Sequence, residues 1–392
     1  MNSRLYAMGW ELVAYTAAPW IILGSIFCFI PALWGLLSYV TGALGLALLA
    51  IFIGRFMSTR VPNTRVQPAG RAVLITGCDT GFGHDLSVRL DKLGFQVFAG
   101  CLFPDGEGTK NLREKCSSRL HIVTFDVTKE EHFENALAYV KKNLDGNQLW
   151  AVVANAGIFL SMELEWLPMR DIRKMFEVNV FGCVRTVQTF LPLLRESKGR
   201  VVLMASYAGR GTSTWINAYS MTKHAVVALG DGLRRELAKW DVTVSIVEPT
   251  YHKTQIIPTP ADIIRRCEQI PEEITRPYGR SYAYAMAERS RFVFDTFARD
   301  NVSEVIDIME TATCIRHPQA SYKCIGFAMW ICMLLLALMP SIFGDVVDYI
   351  IYTPNVQAKD GKLVETVPFY SKLWEKLSNM KTIAKRLCFH IQ

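Results

Sequence analysis

Between Glu11 and Arg55 the chain carries 43 consecutive uncharged, mostly apolar positions. As one helix that run would extend roughly 64 Å, about twice a ~30 Å hydrocarbon core. Pro31 near its middle predicts a transmembrane helical hairpin, Leu12–Ile30 and Ala32–Gly54, with one span behind an interfacial lead-in as the alternative. A cleaved signal peptide fits less well, because its apolar region covers only about 7–15 residues. From residue 72 the pattern changes. Short β-branched runs at Ala72–Thr76, Phe95–Ala99, His121–Phe125, Trp150–Asn155, Val201–Ser206 and Val242–Glu248 alternate with helical periods. Two such periods are Lys129–Leu144 and Tyr219–Trp240; in the second, Ala225, Val226, Leu229, Leu233 and Leu237 share one face. Near-continuous apolar strands separated by helices predict an α/β domain, a doubly wound parallel sheet covered on both faces, over residues 72–326.

The remainder, 327–392, reads as a membrane-associated helical extension. An uncharged run over Cys324–Gly344, broken by Pro340, fits either a span or a helix lying in the membrane plane. From Tyr370 the apolar positions Leu373, Trp374, Leu377, Met380, Ala384 and Leu387 recur at three- and four-residue steps with lysines between them. That pattern predicts a basic amphipathic helix on an anionic lipid surface, or a solvated helix packed on its own domain.

Composition narrows the classes. With 51% hydrophobic and 20% charged residues the chain is not disordered. The formal net charge is +7, but it is unevenly spread. Residues 1–71 hold Arg4, Arg55, Arg60, Arg65 and Arg71 against Glu11, and residues 371–392 hold five cations against Glu375, so each end is +4 and the middle is −1. A basic excess confined to the ends argues against nucleic acid as a partner and for a lipid bilayer. The arginines after the second apolar segment place that flank, and the domain following it, in the cytosol. Ten cysteines without a C-x-x-C and seven histidines without an H-x-x-x-H predict free thiols and no metal. The sequon Asn301-Val302-Ser303 would be modified only in a lumenal domain.

Two motifs carry chemistry. The first strand runs into Thr76-Gly77-Cys78-Asp79-Thr80-Gly81-Phe82-Gly83 and then a helix from about His84. Glycines at a strand-to-helix turn let the backbone approach a pyrophosphate seated on the helix N-terminus, the Rossmann-type arrangement. The second motif is Tyr219 and Lys223, placed on one face of a long helix by their i,i+4 spacing. A free phenol has a pKa near ~10; a neighbouring ammonium is expected to bring it toward the working range. Ser206 ends a strand at the carboxyl edge of the sheet, where its hydroxyl would hold a substrate oxygen against Tyr219.

Together the glycine turn, Asn155-Ala156-Gly157, Asn179, Ser206 and Tyr219/Lys223 resemble the short-chain dehydrogenase/reductase family over about residues 72–326. Within it, the Cys78–Gly83 turn, Val97–Leu102, Leu149–Ala151 and Thr189–Val202 resemble membrane-bound steroid and retinol dehydrogenases. The resemblance implies Asn179, Ser206, Tyr219 and Lys223 as a catalytic tetrad, with Asn179 holding a water in a proton relay to Lys223. Lys223 would also bind the nicotinamide ribose, Asp126 and Val127 would meet adenine, and Asn155, Ala156 and Gly157 would line the cofactor. Pro249 and Thr254 fit the family's segment beside the nicotinamide. The sequence departs from the family pattern at Ala154, usually asparagine, at Thr250, usually glycine, and at Cys101, where NAD-dependent members often carry aspartate.

Cofactor choice then rests on charge. A 2′-phosphate needs Arg or Lys near the glycine turn or after the second strand, yet those places hold Asp79 and Cys101–Asp105, so NAD is expected rather than NADP. The expected activity is interconversion of a lipophilic alcohol (steroid, retinoid or similar) and its carbonyl, Tyr219 taking the hydroxyl proton as hydride passes to NAD. Two alternatives remain open: an NADPH-dependent reductase of 3-oxoacyl or sphingoid ketones, and a non-enzymatic membrane scaffold. The relatives point to the endoplasmic reticulum, or to a mitochondrial membrane for one branch, and to a homodimer or homotetramer. Aromatic residues over 251–318, including Tyr278, Tyr282, Phe292 and Phe294, read mainly as core, with pocket residues among them.

Overall fold

The structure, a computed structural model, describes residues 17, 19–25, 31–60, 64–254, 256–325, 356–359 and 362–365. The chain divides into two compact units, one holding Met1–Arg65 with Gly326–Val347, the other the rest. In the first unit, residues 19–25 are helical and α1 spans Pro31–Arg60. Pro31 opens α1, a position where its missing N–H matters least. Among the described residues no helix is long and apolar enough to cross a membrane. Much of the first predicted arm, Leu12–Ile30, the run Cys324–Gly344 beyond Ile325, and the amphipathic stretch from Tyr370 lie outside the described residues.

The second unit is built on a seven-stranded parallel sheet. Its strands are β1 (Arg71–Thr76), β2 (Gln96–Cys101), β3 (Leu120–Thr124), β4 (Gln148–Ala154), β5 (Arg200–Met204), β6 (Thr243–Pro249) and β7 (Ser321–Cys324), in the order 3-2-1-4-5-6-7. Every neighbouring pair runs parallel, with registers such as Val73↔Val97 and Val202↔Ser245. The helices between them are α2 (Gly81–Leu93), α3 (Glu107–Lys115), α4 (Glu130–Lys142), α5 (Met169–Phe176), α6 (Gly182–Ser197) and α7 (Asn217–Leu237). After β6 come α8 (Pro260–Cys267), α9 (Glu272–Thr275), α10 (Arg280–Phe297) and α11 (Ser303–Cys314). The doubly wound sheet expected from the apolar runs is therefore present.

Alternation along β1 divides the core. Ala72 and Leu74 face a layer with Phe133 and Val140 of α4, Phe190 and Leu194 of α6 and Val226 of α7. Val73 and Ile75 face the opposite layer, with Leu86 and Leu90 of α2 and Val305, Ile306 and Met309 of α11. A third cluster around Met162, Trp166, Trp215 and Tyr282 sits beyond the sheet and packs α8 and α10 against the start of α7. The strand β7 reads Ser-Tyr-Lys-Cys, with only its second and fourth residues buried, so no apolar run announced it. Within the predicted helical extension, the described residues form an antiparallel β-hairpin, β8 (Val356–Lys359) with β9 (Lys362–Glu365). The intervening Asp360-Gly361 is the sequence signature of a two-residue hairpin turn.

Candidate active site

The strand order reverses between β1 and β4, and the carboxyl ends of these strands flank the crevice where such sheets take ligands. The turn after β1 is compressed. Gly77 has φ +71°, and a Cβ there would stand 2.8 Å from the Ala156 Cα. Asn155 ties the turn to β4: its Nδ2 donates to the Thr76 and Gly77 carbonyls at 2.9 and 3.1 Å. Thr76 Oγ1 in return accepts from the Asn155 and Ala156 amides at 3.1 and 3.0 Å. Gly81 opens onto free space, with no atom within 4 Å of a Cβ placed on it. The turn thus offers bare backbone and a helix N-terminus to an anion, a fit to a dinucleotide pyrophosphate.

A cavity of ≈ 380 Å³ runs from this turn across the ends of β4, β5 and β6. It brings together Gly81, Phe82, Asn155, Gly157, Ser206, Tyr219, Lys223, Pro249 and Thr254, all expected from the sequence. Thr76, Gly77, Gly83 and Ala156 support the turn from behind. Asp126 and Val127 do not line this cavity. Asp126 Oδ1 instead accepts from the Thr128 amide and hydroxyl at 2.9 and 2.8 Å, and Val127 is buried against α6.

Asn179 is fully buried within a π-helical turn, Glu177–Phe181, that interrupts the run from α5 to α6. Such turns recur at functional sites. Its Oδ1 accepts from the Ile158 amide at 2.8 Å, while Nδ2 donates to the Ile158 carbonyl at 2.9 Å and Thr222 Oγ1 at 3.1 Å. The side chain therefore braces the segment after β4 against α7. Lys223, also buried, donates to the Met204 carbonyl at 2.9 Å, and its Nζ lies 5.6 Å from the Tyr219 ring centre.

Electrostatics correct one expectation. Burial pushes the Tyr219 hydroxyl up to about 12, against a lowering hydrogen bond from Ser206, and lowers the Lys223 ammonium to about 8. Desolvation is the larger influence on the phenol, and the Lys223 ammonium is directed at the Met204 carbonyl. The departure at Thr250 has a structural account: Thr250 does not adopt a positive φ, and its hydroxyl donates to the Cys324 carbonyl at 3.1 Å.

The rest of the wall is apolar. Phe159 meets the Tyr219 ring edge-on at 4.7 Å, and Phe294 of α10 packs edge-on against Phe159 and Tyr251 at 6.3 and 5.2 Å. Ile216, Ile256 and Ile257 complete it, whereas Tyr278 and Tyr282 belong to the third core cluster. Sequence reasoning did not single out Phe159, Ile216 or Tyr251; their positions beside Gly157, Tyr219 and Pro249 were the available signal.

Trp215, four residues before Tyr219, is buried with φ +68°, an unusual backbone for a bulky residue. Glu163 holds it there, accepting from Trp215 Nε1 at 2.9 Å and from the Tyr282 hydroxyl. Glu163→Ala is expected to lower stability by about 1–3 kcal/mol, since both donors lose their acceptor. Chemical denaturation measures this, with Glu163→Gln, which keeps an acceptor oxygen, staying near wild type.

A doubly wound sheet with a glycine turn at its switch point, facing a Tyr/Lys/Ser cluster whose lysine is buried, defines a dinucleotide-dependent oxidoreductase. The short chain dehydrogenase family profile matches residues 71–260. Estradiol 17-beta-dehydrogenase 2 of Mus musculus is 37% identical over 291 residues, covering 72% of this chain and 74% of that protein. Retinol dehydrogenase 7 of Mus musculus is 34% identical, covering 75% of this chain and 92% of its own length. Mitochondrial D-beta-hydroxybutyrate dehydrogenase of Bos taurus is 35% identical, covering 71% and 84%. A solved short chain dehydrogenase/reductase from Burkholderia phymatum in complex with NAD shares the fold, with TM-score 0.58 and 19% identity, covering 71% of this chain and 96% of that one. The chain belongs to the short-chain dehydrogenase/reductase family and is an NAD(P)-dependent oxidoreductase.

Proposed function

We propose that the protein interconverts a lipophilic alcohol and its carbonyl at this cavity, using NAD. The observation that carries the reading is the pairing of Tyr219, Ser206 and Lys223 with walls made of Phe159, Ile216, Tyr251, Ile256, Ile257 and Phe294. A ring-bearing or long-chain alcohol would bury its apolar body there and reach the two hydroxyls with its polar end. The names of the estradiol and retinol dehydrogenases above agree with that substrate class. The dinucleotide, when bound, supplies the hydride acceptor. Ser206 orients the substrate oxygen and hydrogen-bonds Tyr219. Tyr219 accepts the alcohol proton during oxidation and returns it during reduction. Lys223, whose Nζ lies 5.6 Å from the Tyr219 ring centre, stabilises the charge that develops on the phenol.

The preference for NAD rests on Asp79. Its carboxylate accepts from the Leu102 amide at 2.9 Å and the Phe103 amide at 2.8 Å, so a negative charge bridges the glycine turn and the end of β2. A 2′-phosphate near that bridge would meet like charge. In parallel titrations NAD is expected to give a kcat/KM about tenfold or more above NADP, and Asp79→Asn to narrow the gap. NADP turning over as well as NAD would contradict this and favour the reductase reading.

A membrane setting is part of the proposal. Along α1 the side chains of Leu44, Leu46, Leu48, Leu49, Ile51 and Ile53, which fall on all sides of a helix, are exposed, Leu46 to 69%. An all-round apolar surface of this kind suits lipid. Asn301 of the sequon is exposed, so its modification reports topology: an unglycosylated Asn301 in a membrane-retained protein agrees with a cytosolic site, and a glycan on it overturns that placement.

A further inference from the structure

Three side chains from distant parts of the sequence meet beneath the loop that follows β6. His252 Nε2 lies 3.6 Å from Cys324 Sγ, and Cys324 Sγ lies 3.8 Å from Glu304 Oε2. All three ligand atoms fall within 4.8 Å of one another, and His252 and Cys324 are buried. We propose that His252, Glu304 and Cys324 form a zinc-binding site that clamps the wall of the active-site cavity to the edge of the sheet.

The spacing suits the ion. With Zn–N about 2.0–2.1 Å, Zn–O about 2.0–2.2 Å and Zn–S about 2.3 Å, tetrahedral donors stand roughly 3.3–3.7 Å apart. The His252–Cys324 separation falls within that range and the Cys324–Glu304 separation just beyond it, with the His252–Glu304 pair held within 4.8 Å. The groups outside the triad are arranged as those around a metal commonly are. His252 Nδ1 lies 2.9 Å from the Thr250 carbonyl, which can only accept, so Nδ1 carries the proton and Nε2 presents its lone pair to Cys324. The Glu304 carboxylate is fixed by Arg299 Nη2, at 2.8 Å from Oε1 and 2.7 Å from Oε2. A nitrogen, sulfur and carboxylate set selects zinc over magnesium or calcium. On binding, the Cys324 thiol proton leaves to solvent, and thiolate and carboxylate together balance the ion's two positive charges. Arg299 keeps its pairing with Glu304 and adds the one opposing charge. The fourth position is left to a water molecule.

The three ligands come from the loop after β6, the first turn of α11 and the last residue of β7. His252 also lines the cavity and meets Phe82 of the glycine turn edge-on at 6.1 Å. An ion here therefore fastens a segment that touches both cofactor turn and substrate wall. No local spacing rule links residues 252, 304 and 324, which is why the sequence alone predicts no metal.

The test uses full-length protein, stripped with a chelator and then equilibrated with zinc or cobalt chloride. About one zinc per chain is expected to survive gel filtration, the unfolding midpoint to rise with zinc, and the cobalt form to show a thiolate-to-cobalt absorption band. Cys324→Ser should lose the band and the bound zinc, and Glu304→Gln should weaken zinc affinity about tenfold or more. Cys116→Ser, altering a half-buried thiol elsewhere, should behave as wild type. A wild-type protein that retains no more zinc than Cys324→Ser, or a cobalt form without the thiolate band, overturns the site. If Cys324→Ser fails to fold, unchanged zinc affinity in Glu304→Gln overturns it instead. Stoichiometry and spectrum are read without turnover, so they stand apart from the proposed reaction.

Discussion

Tyr219→Phe is expected to lower alcohol oxidation by about 10²–10⁴-fold while leaving dinucleotide affinity within about threefold. The substitution removes one oxygen from a half-buried ring. The ring itself stays in place, because its edge contact with Phe159 at 4.7 Å and its position on α7 do not involve the hydroxyl. Ser206 loses a partner but retains the Pro249 carbonyl at 3.4 Å and the Ala208 amide at 3.1 Å, so the local turn persists. Fold and cofactor turn are therefore insulated from the change, and the loss falls on proton transfer alone. Initial rates, together with a dinucleotide fluorescence titration, check both halves. Retained turnover would remove Tyr219 from the reaction.

The same hydroxyl sets a pH dependence. Burial holds it near about 12, so at neutral pH it is overwhelmingly protonated, ready as the acid for carbonyl reduction and scarce as the base for oxidation. Oxidation should therefore gain rate as pH rises, because each unit of rise toward that value exposes about tenfold more base. Lys223, lowered to about 8 by burial, loses its charge within the interval, so the rise should become shallower above that pH. Reduction, for which the acid is already almost fully protonated, should stay level across the same interval. A flat profile for oxidation between about pH 6 and 9 would place the proton transfer elsewhere.

Gly83→Ala is the second large effect, and it acts on cofactor rather than chemistry. An added Cβ would overlap the Gly77 carbonyl oxygen, 3.1 Å from its carbon, and lie 2.5 Å from Asn155 Nδ2. Neither neighbour is a flexible chain end. Gly77 sits at positive φ against Ala156, and Asn155 Nδ2 already donates to two carbonyls of the turn. The turn must open to admit a methyl group, an overpacking change of about 1–3 kcal/mol. Dinucleotide affinity should fall about tenfold or more, with a lower unfolding midpoint. Gly232→Ala is the control: nothing stands within 4 Å of its Cβ, and alanine is the better helix former. Calorimetric titration of both variants with NAD separates a local clash from a general effect of losing glycine.

Much of this site could be read from the residues. The strands of the central sheet are buried on both faces and so write themselves as unbroken apolar runs, and the glycine turn follows directly from β1. Tyr219, Lys223 and Ser206 were legible because helix periodicity and strand ends fix which side chains reach the sheet's carboxyl edge. What escaped was set by tertiary contacts. The strand β7 has a half-polar sequence and is a strand because β6 offers it a free edge. Phe294 and Tyr282 occupy one helix, α10, with similar side chains, yet one faces the cavity and the other anchors to Glu163; only packing separates them. The phenol's pKa could not be judged from the i,i+4 spacing to Lys223, because the ammonium is turned toward Met204. Asp79 gives its charge a location only once the end of β2 is seen to donate to it.

The reaction itself is tested most directly by incubating purified full-length protein with steroid, retinoid and 3-hydroxy-acid alcohols, with NAD and NADP in parallel, and following reduced cofactor at 340 nm (a wavelength of about that value marks the reduced nicotinamide). The account predicts that a ring-bearing or terpenoid alcohol is oxidised with NAD and that Tyr219→Phe abolishes the signal. Binding of neither dinucleotide, or turnover confined to small polar hydroxy acids, would contradict it.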